Sequence, residues 1–301
     1  MDASSILLSR RGLLSGAAAL GLAGCGRKGA ASHGAASGAA GRSGPPTSLE
    51  AAVAGDWRSP ADKARDRWRH PVEALNFWGL KPGQTVVEFW PGAGWYTDIL
   101  APFLAATGGK LYAANLQADE PSEPAAKRTV ADYRAKLEAK PGLYGKVEIT
   151  AFGPTSGPVA PAGTADVALF LRNIHNWMAG GVAEKAFRDA YAALKPGGVL
   201  GVEEHRAPPG GVQDVLASSG YVQEAYVKQL AQEAGFEFDG ASEINANPKD
   251  DHDHPFGVWT LPPTRLTAPR GKPADPKFDR TRYDAIGESD RMTLRFRKRR
   301  S

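Results

Sequence analysis

Apolar positions along this chain change their spacing several times, and each change marks an element. Thr85-Val86-Val87-Glu88-Phe89 is a short β-branched run that ends at Trp90-Pro91-Gly92, as a buried strand ending in a turn does. Lys110 to Ala114 and Val147 to Ala151 read as strands two and three, and Asp166 to Leu171 as a fourth, continuously apolar like a strand buried on both faces. Val199 to Glu203 and Phe236 to Ile244 read as strands five and six. Between them the spacing becomes helical. Trp95 to Leu104 is one such stretch, and a second carries Val130, Tyr133 and Leu137 on one face. Ala183 to Leu194 places Ala183, Phe187, Ala190 and Leu194 on one side, and Val222 to Ala234 is closed by Gly235.

Ahead of the first strand, Ser59-Pro60-Ala61-Asp62 is a helix start, with a capping serine, proline in the first turn and an acid near the positive end. This helix is expected to run to about Arg69 and stop at His70-Pro71; a second spans Val72 to Trp78. The last strand has two candidates. Phe256 to Leu261 is cut off by Pro262-Pro263, whereas Arg291 to Lys298 alternates basic residues with Met292, Leu294 and Phe296, and is the better choice. Residues 245–289 then form an insertion rich in Pro, Asp and Gly, placed to act as a lid. Strands alternating with helices predict an α/β domain with a mostly parallel sheet.

Candidate chemistry follows from that class, because open α/β sheets bind ligands outside the carboxyl ends of their strands. After strand one come Glu88, Pro91, Gly92 and Gly94, a strand-turn-helix unit of the kind that binds nucleotides. Asn115 follows strand two and Phe152 strand three. Arg172-Asn173-Ile174-His175-Asn176-Trp177 follows strand four, and Glu204-His205-Arg206 follows strand five. About a hundred residues beyond the glycine turn lies Leu194-Lys195-Pro196-Gly197-Gly198, a helix end and turn before a strand.

The two turns together resemble those of class I S-adenosylmethionine-dependent methyltransferases, over roughly residues 70–245 and the final strand. The resemblance implies a Rossmann-like doubly wound sheet of about seven strands, mostly parallel with an antiparallel last strand. It implies S-adenosylmethionine as cofactor, held by Glu88, Pro91, Gly92, Gly94, Asn115, Phe152 and Asn173, and an unknown, small-molecule acceptor. Within it, Gly92 and Gly94 would approach the methionine part, residues after strand two the ribose, and Phe152 the adenine. Two positions depart from the pattern: Trp90 stands where the first glycine is usual, and Asn115 where an acid is usual, with Asp119 and Glu120 further on. These departures favour an alternative, a non-catalytic ligand-binding lipoprotein on a methyltransferase scaffold. His175 and His205 are the candidate acid/base groups, since imidazole titrates near neutrality. Asp250-Asp251-His252-Asp253-His254 offers metal-type ligands, but His-x-His alone is a weak signal, and no metal site is expected.

The N-terminus changes the domain map rather than the fold. Ser9-Arg10-Arg11-Gly12-Leu13-Leu14 resembles a twin-arginine export motif, and Leu22-Ala23-Gly24-Cys25 a bacterial lipobox. The apolar stretch from Leu13 to Gly24 is too short for a bilayer, which takes roughly 20 residues. The expected organisation is a leader over 1–25 with Cys25 lipidated, a Gly/Ala/Ser linker over 26–48, and a methyltransferase-like domain over 49–301. Such a protein would be exported and membrane-anchored, facing the periplasm or cell exterior. Cys25 is the sole cysteine, so no intramolecular disulfide forms. The net charge of +4 is mild and no basic-aromatic stripe runs along the chain, so no nucleic-acid partner is expected.

Overall fold

The computed structural model describes residues 44–118 and 124–300; the leader, Cys25, most of the linker and Asp119-Glu120 lie outside them. Seven strands form one sheet: β1 (Thr85–Phe89), β2 (Lys110–Leu116), β3 (Val147–Phe152), β4 (Ala165–Leu171), β5 (Leu194–His205), β6 (Phe236–Ser242) and β7 (Arg291–Lys298). Their order is β3-β2-β1-β4-β5-β7-β6. The pairs along β3 to β5 are all parallel, while β7 runs antiparallel to both β5 and β6. This is the α/β Rossmann-like class expected, with β7 as the reversed strand. The chain builds outward from β1 to β3, then returns to the other side of β1 with β4. That reversal leaves a crevice at the carboxyl ends of β1 and β4, where the loops diverge.

Helices cover both faces. The alternation of side chains along each strand sends Val87 and Phe89 to one face and Val86 to the other. Below Val86 pack α1 (Leu49–Ala54), α4 (Pro71–Phe77), α5 (Thr97–Thr107), α6 (Pro124–Glu138) and α7 (Pro141–Tyr144). Against Phe89 pack α8 (Ile174–Ala179), α9 (Ala183–Ala193) and α10 (Glu224–Glu233). On α9 the stripe of Ala183, Phe187 and Ala190 is buried, as its spacing predicts. Trp78, fully buried, ties the layer holding α4 to the sheet by donating its indole N–H to the Leu294 carbonyl at 3.0 Å.

Two elements in particular differ from the sequence expectation. The helix expected from Pro60 to Arg69 is two short pieces, α2 (Pro60–Lys63) and α3 (Asp66–Arg69). Long-range pairs override helical continuation there: Arg58 takes Asp66 with two bonds at 2.7 and 2.8 Å, and Arg65 takes Glu288 at 2.7 Å. β5 begins at Leu194 rather than Val199, because Leu194 already pairs with Ala165; the Lys195-Pro196-Gly197-Gly198 turn is an irregularity inside its span. Phe256 to Leu261, the rejected strand candidate, holds a 3-10 turn over Gly257–Thr260 and is followed by a short helix, α11 (Thr281–Ile286). Among the described residues no helix is long and apolar enough to cross a membrane.

Candidate functional site

The turn after β1 is built around a strained tryptophan. Trp90 adopts φ +45°, the left-handed conformation that glycine takes without penalty. Its indole N–H donates to the Phe152 carbonyl at 2.9 Å, and its ring packs on Phe152 and Trp177. The side chain thus closes the ends of β1 and β3 while the backbone keeps the shape of the glycine turn. Gly92 is exposed with φ +61° and has no neighbour within 4 Å of where a Cβ would stand. Gly94 is different. It is buried, and a Cβ would meet Lys136 Nζ at 3.2 Å and Tyr133 Cε2 at 3.3 Å. Lys136 also donates to the Ala93 carbonyl at 2.9 Å and to Asp98 at 2.6 Å, so α6 closes over this part of the turn. Pro91 is half-buried beside it.

Glu88 ends β1 with its carboxyl fully enclosed. Burial raises its pKa to about 7, against the lowering effect of the Thr97 hydroxyl, which donates at 2.7 Å. Asn115, at the end of β2, accepts the Leu116 N–H at 2.8 Å through Oδ1. That bond fixes which end of the amide is which, and Asn115 Nδ2 is left buried with no partner among the described residues. An orphaned donor at this strand end fits a ribose hydroxyl. Phe152 is fully buried in the core and Asn173 donates to the carbonyls of Phe89 (3.3 Å), Trp90 (3.1 Å) and Leu171 (3.3 Å). The unfilled donor of Asn115 and the open backbone at Gly92 are the features of these strand ends that suit such a ligand, and Asn173 braces the turn through the Phe89 and Trp90 carbonyls.

His175 and His205, placed on adjacent strand ends, do come together: their ring centroids are 5.2 Å apart. Glu204, fully buried, organises both. Its Oε2 accepts the N–H groups of Ile174 (2.6 Å) and His175 (3.3 Å), and its Oε1 accepts the His205 N–H (2.8 Å) and His175 Nδ1 (2.9 Å). A carboxylate already receiving backbone donors on both oxygens acts as acceptor, so His175 Nδ1 donates and Nε2 carries the lone pair. His205 Nδ1 lies 2.5 Å from Ser289 Oγ. Burial pushes the His205 pKa well below the usual imidazole value, and His175, Arg291 and Arg172 push it the same way.

Both rings line a cavity of about 230 Å³. The 245–289 segment supplies one wall, with Val258, Pro262 and Trp259, whose ring lies 5.9 Å from that of His175. Asp250 pins this segment. Its two carboxylate oxygens share the Tyr221 hydroxyl (2.9 and 2.8 Å) and also meet His254 Nε2 (2.7 Å) and the N–H groups of His252 (3.0 Å) and Asp290 (2.7 Å). Two clusters bring metal-type ligand atoms within 4.8 Å of one another, His175-Glu204-His205 and Asp250-Asp251-His254. In each the central carboxylate is already filled by N–H and O–H donors.

The cavity and the glycine turn are joined through Glu203. Tyr96, just after the turn, donates its hydroxyl to Glu203 Oε2 at 3.1 Å, and Arg172, in the cavity wall, donates to the same oxygen at 2.7 Å. Arg172 also holds a left-handed backbone, φ +59°, unusual for a residue with a Cβ. The parts that sequence reading missed are Arg69, Glu203, Glu288 and Ser289. Apart from the Glu288–Arg291 pair, three residues apart, their partners lie far away in the chain, where local spacing does not mark them.

No protein-family model matches this sequence, and no curated protein matches it. Solved structures do. The cyclase SpnF aligns over 83% of this chain and 85% of its own, with a TM-score of 0.53 and 16% identity. A SAM-dependent methyltransferase from Aquifex aeolicus aligns over 62% of this chain and 88% of its own, with a TM-score of 0.48 and 22% identity. A third, the 1,6-didemethyltoxoflavin N1-methyltransferase of Burkholderia thailandensis, was solved with S-adenosylhomocysteine; it covers 78% of this chain and 82% of its own, at a TM-score of 0.43 and 13% identity. At these identities the likeness is one of fold, and folds host more than one chemistry.

Proposed function

We propose that this protein is an S-adenosylmethionine-dependent methyltransferase acting on a small molecule held in the cavity beside His175 and His205. The observation that carries the reading is the Glu204–His175 pair. A buried carboxylate fixes the imidazole tautomer through Nδ1, and the imidazole lines a cavity on the same sheet edge as the glycine turn. Gly92, Asn115 and Glu88 would hold the cofactor, which supplies an electrophilic methyl group when bound. His175 Nε2 takes the proton of the acceptor's nucleophile, and Glu204 stabilises the imidazolium that forms. The 245–289 segment acts as the lid that keeps water from the cavity.

Export and a lipid anchor at Cys25 belong to the same proposal. A lipoprotein of this kind meets its acceptor at the cell envelope, and Cys25→Ser should release it into the soluble fraction. The catalytic reading is tested by incubating purified protein and labelled S-adenosylmethionine with an envelope extract. Label in a small-molecule fraction, lost in His175→Gln, supports it. Intact cofactor binding with no transfer to any fraction favours the ligand-binding alternative, to which Trp90 and the buried Phe152 lend weight.

A further inference from the structure

The wall of the cavity carries more positive than negative charge. Glu288 takes Arg65 Nε at one oxygen (2.7 Å) and Arg69 Nε (3.1 Å) and Arg291 Nη1 (2.9 Å) at the other. Glu203 takes Arg172 Nη1 (2.7 Å) and Arg291 Nη1 (3.0 Å). Counting Glu204 as well, four guanidinium charges face three carboxylates. Beyond those bonds the guanidinium groups of Arg69 and Arg172 are not hydrogen-bonded by other described residues, although Arg69 also lies 4.6 Å from the Trp95 ring centroid and Arg172 5.8 Å from that of Tyr96. Both line the cavity. Glu288 is the one carboxylate among the described residues lining it, and three arginines already fill its two oxygens.

A partly dry wall with one guanidinium charge more than its carboxylates is stabilised by an added anion, which the remaining N–H groups of Arg69 and Arg172 can take. We infer that this cavity binds the anionic group of a small acceptor, a carboxylate or a phosphate, with Arg172 and Arg69 as its anchors. The inference names a substrate class for the methyl-transfer reading and, as regards the word acceptor, rests on it. The same excess charge holds His205 neutral alongside its burial. It also argues against a divalent cation at His175 and His205, since Arg172 and Arg291 would repel it and Glu204 has no free lone pair directed there. At about 230 Å³ the space lies below the range of drug-sized pockets, which suits a small acid.

The test is calorimetric titration of the purified protein with inorganic phosphate, and with propionate and benzoate each beside its neutral amide (propionamide, benzamide), with and without S-adenosylhomocysteine. Charge-assisted bonds predict that at least one anion binds more tightly than the amides by about tenfold or more, and that added salt weakens it. Carboxylate preference and phosphate preference both support the site and tell the two sources apart. Equal binding of acid and amide, or no binding of any anion, overturns it, as does uptake of Co²⁺ with a change in its visible absorption. Arg172→Lys keeps a charge for Glu203 but loses the planar fork, and should weaken the anion while leaving the amides unchanged. If that variant does not fold, the acid-amide comparison on the unaltered protein still decides. Selective anion binding without any S-adenosylhomocysteine binding would leave the anion site standing and remove the methyltransferase reading. The reverse result would remove the anion site alone.

Discussion

Glu204 holds His175 at two points: its Oε1 accepts from the imidazole Nδ1 at 2.9 Å, and its Oε2 from the backbone N–H of the same residue at 3.3 Å. The ring is therefore fixed both in tautomer and in direction, as a base must be if it is to meet a proton at the right angle. His175→Gln should lower the transfer rate by roughly 10² to 10⁴ while leaving cofactor affinity nearly unchanged. Glu204→Gln should do both kinds of harm, because an amide brings two N–H groups among donors and leaves bonds unmade. Its melting temperature should fall, and its rate should fall with it. A full rate in His175→Gln would assign the proton elsewhere.

Glu88 makes stability depend on pH in an unusual sense. Its pKa is about 7 when folded, against 4.5 when exposed, so the folded state holds the proton more tightly. Between these values the folded chain carries more bound protons than the unfolded one, and stability falls as pH rises. The group's full penalty is present above about pH 7 and absent below about 4.5; it amounts to about 3 kcal/mol, from 1.36 kcal/mol per pKa unit. Glu88→Gln still accepts from the Thr97 hydroxyl and has no charge to bury. Urea denaturation at pH 5 and pH 8 should show the variant gaining on the parent at the higher pH. Parallel behaviour at both pH values would contradict the buried neutral carboxyl.

The two glycines of the β1 turn should behave differently. Both sit at positive φ, so any side chain there costs roughly 1–2 kcal/mol. Gly94 adds crowding against Lys136 and Tyr133, and Gly94→Val should lose stability before it says anything about ligand. Gly92 has open space around it, so Gly92→Ala should stay folded and lose affinity for S-adenosylhomocysteine. Thermal melting separates the first effect from the second.

Much of this architecture was legible because it is local. β1 and β7 match their expected bounds, since a β-branched run before Pro-Gly and an alternating basic-apolar run each carry their own signal. The short α8 was not foreseen: six residues, Ile174–Ala179, are too few to show a helical period, and Glu204 rather than a local cap satisfies its first N–H groups. The site was legible in part. His175, His205 and Asn115 stand out by residue type at strand ends, but the arginine–glutamate wall joins Arg65 to Glu288 and Arg172 to Glu203 across the fold. Only tertiary packing reveals such pairs. Phe152, at the end of β3 as its position in the sequence implies, is part of the core cluster.

Asp250 should prove to be the anchor of the 245–289 segment. Asp250→Ala leaves the Tyr221 hydroxyl, His254 and two backbone N–H groups without their acceptor. Loss of about 3 kcal/mol or more is expected, because each buried donor left unmet costs about 1–3 kcal/mol. Denaturant titration measures it. A loss under about 1 kcal/mol, the size of a single ordinary hydrogen bond, would show that the segment is held by other contacts.

The most direct measurement is titration calorimetry of S-adenosylmethionine and S-adenosylhomocysteine into the purified protein, with Gly92→Ala alongside. Saturable binding of both at one site per chain is expected, weakened in the variant. No heat and no saturation with either ligand, from protein shown to be folded, would contradict the methyltransferase reading outright.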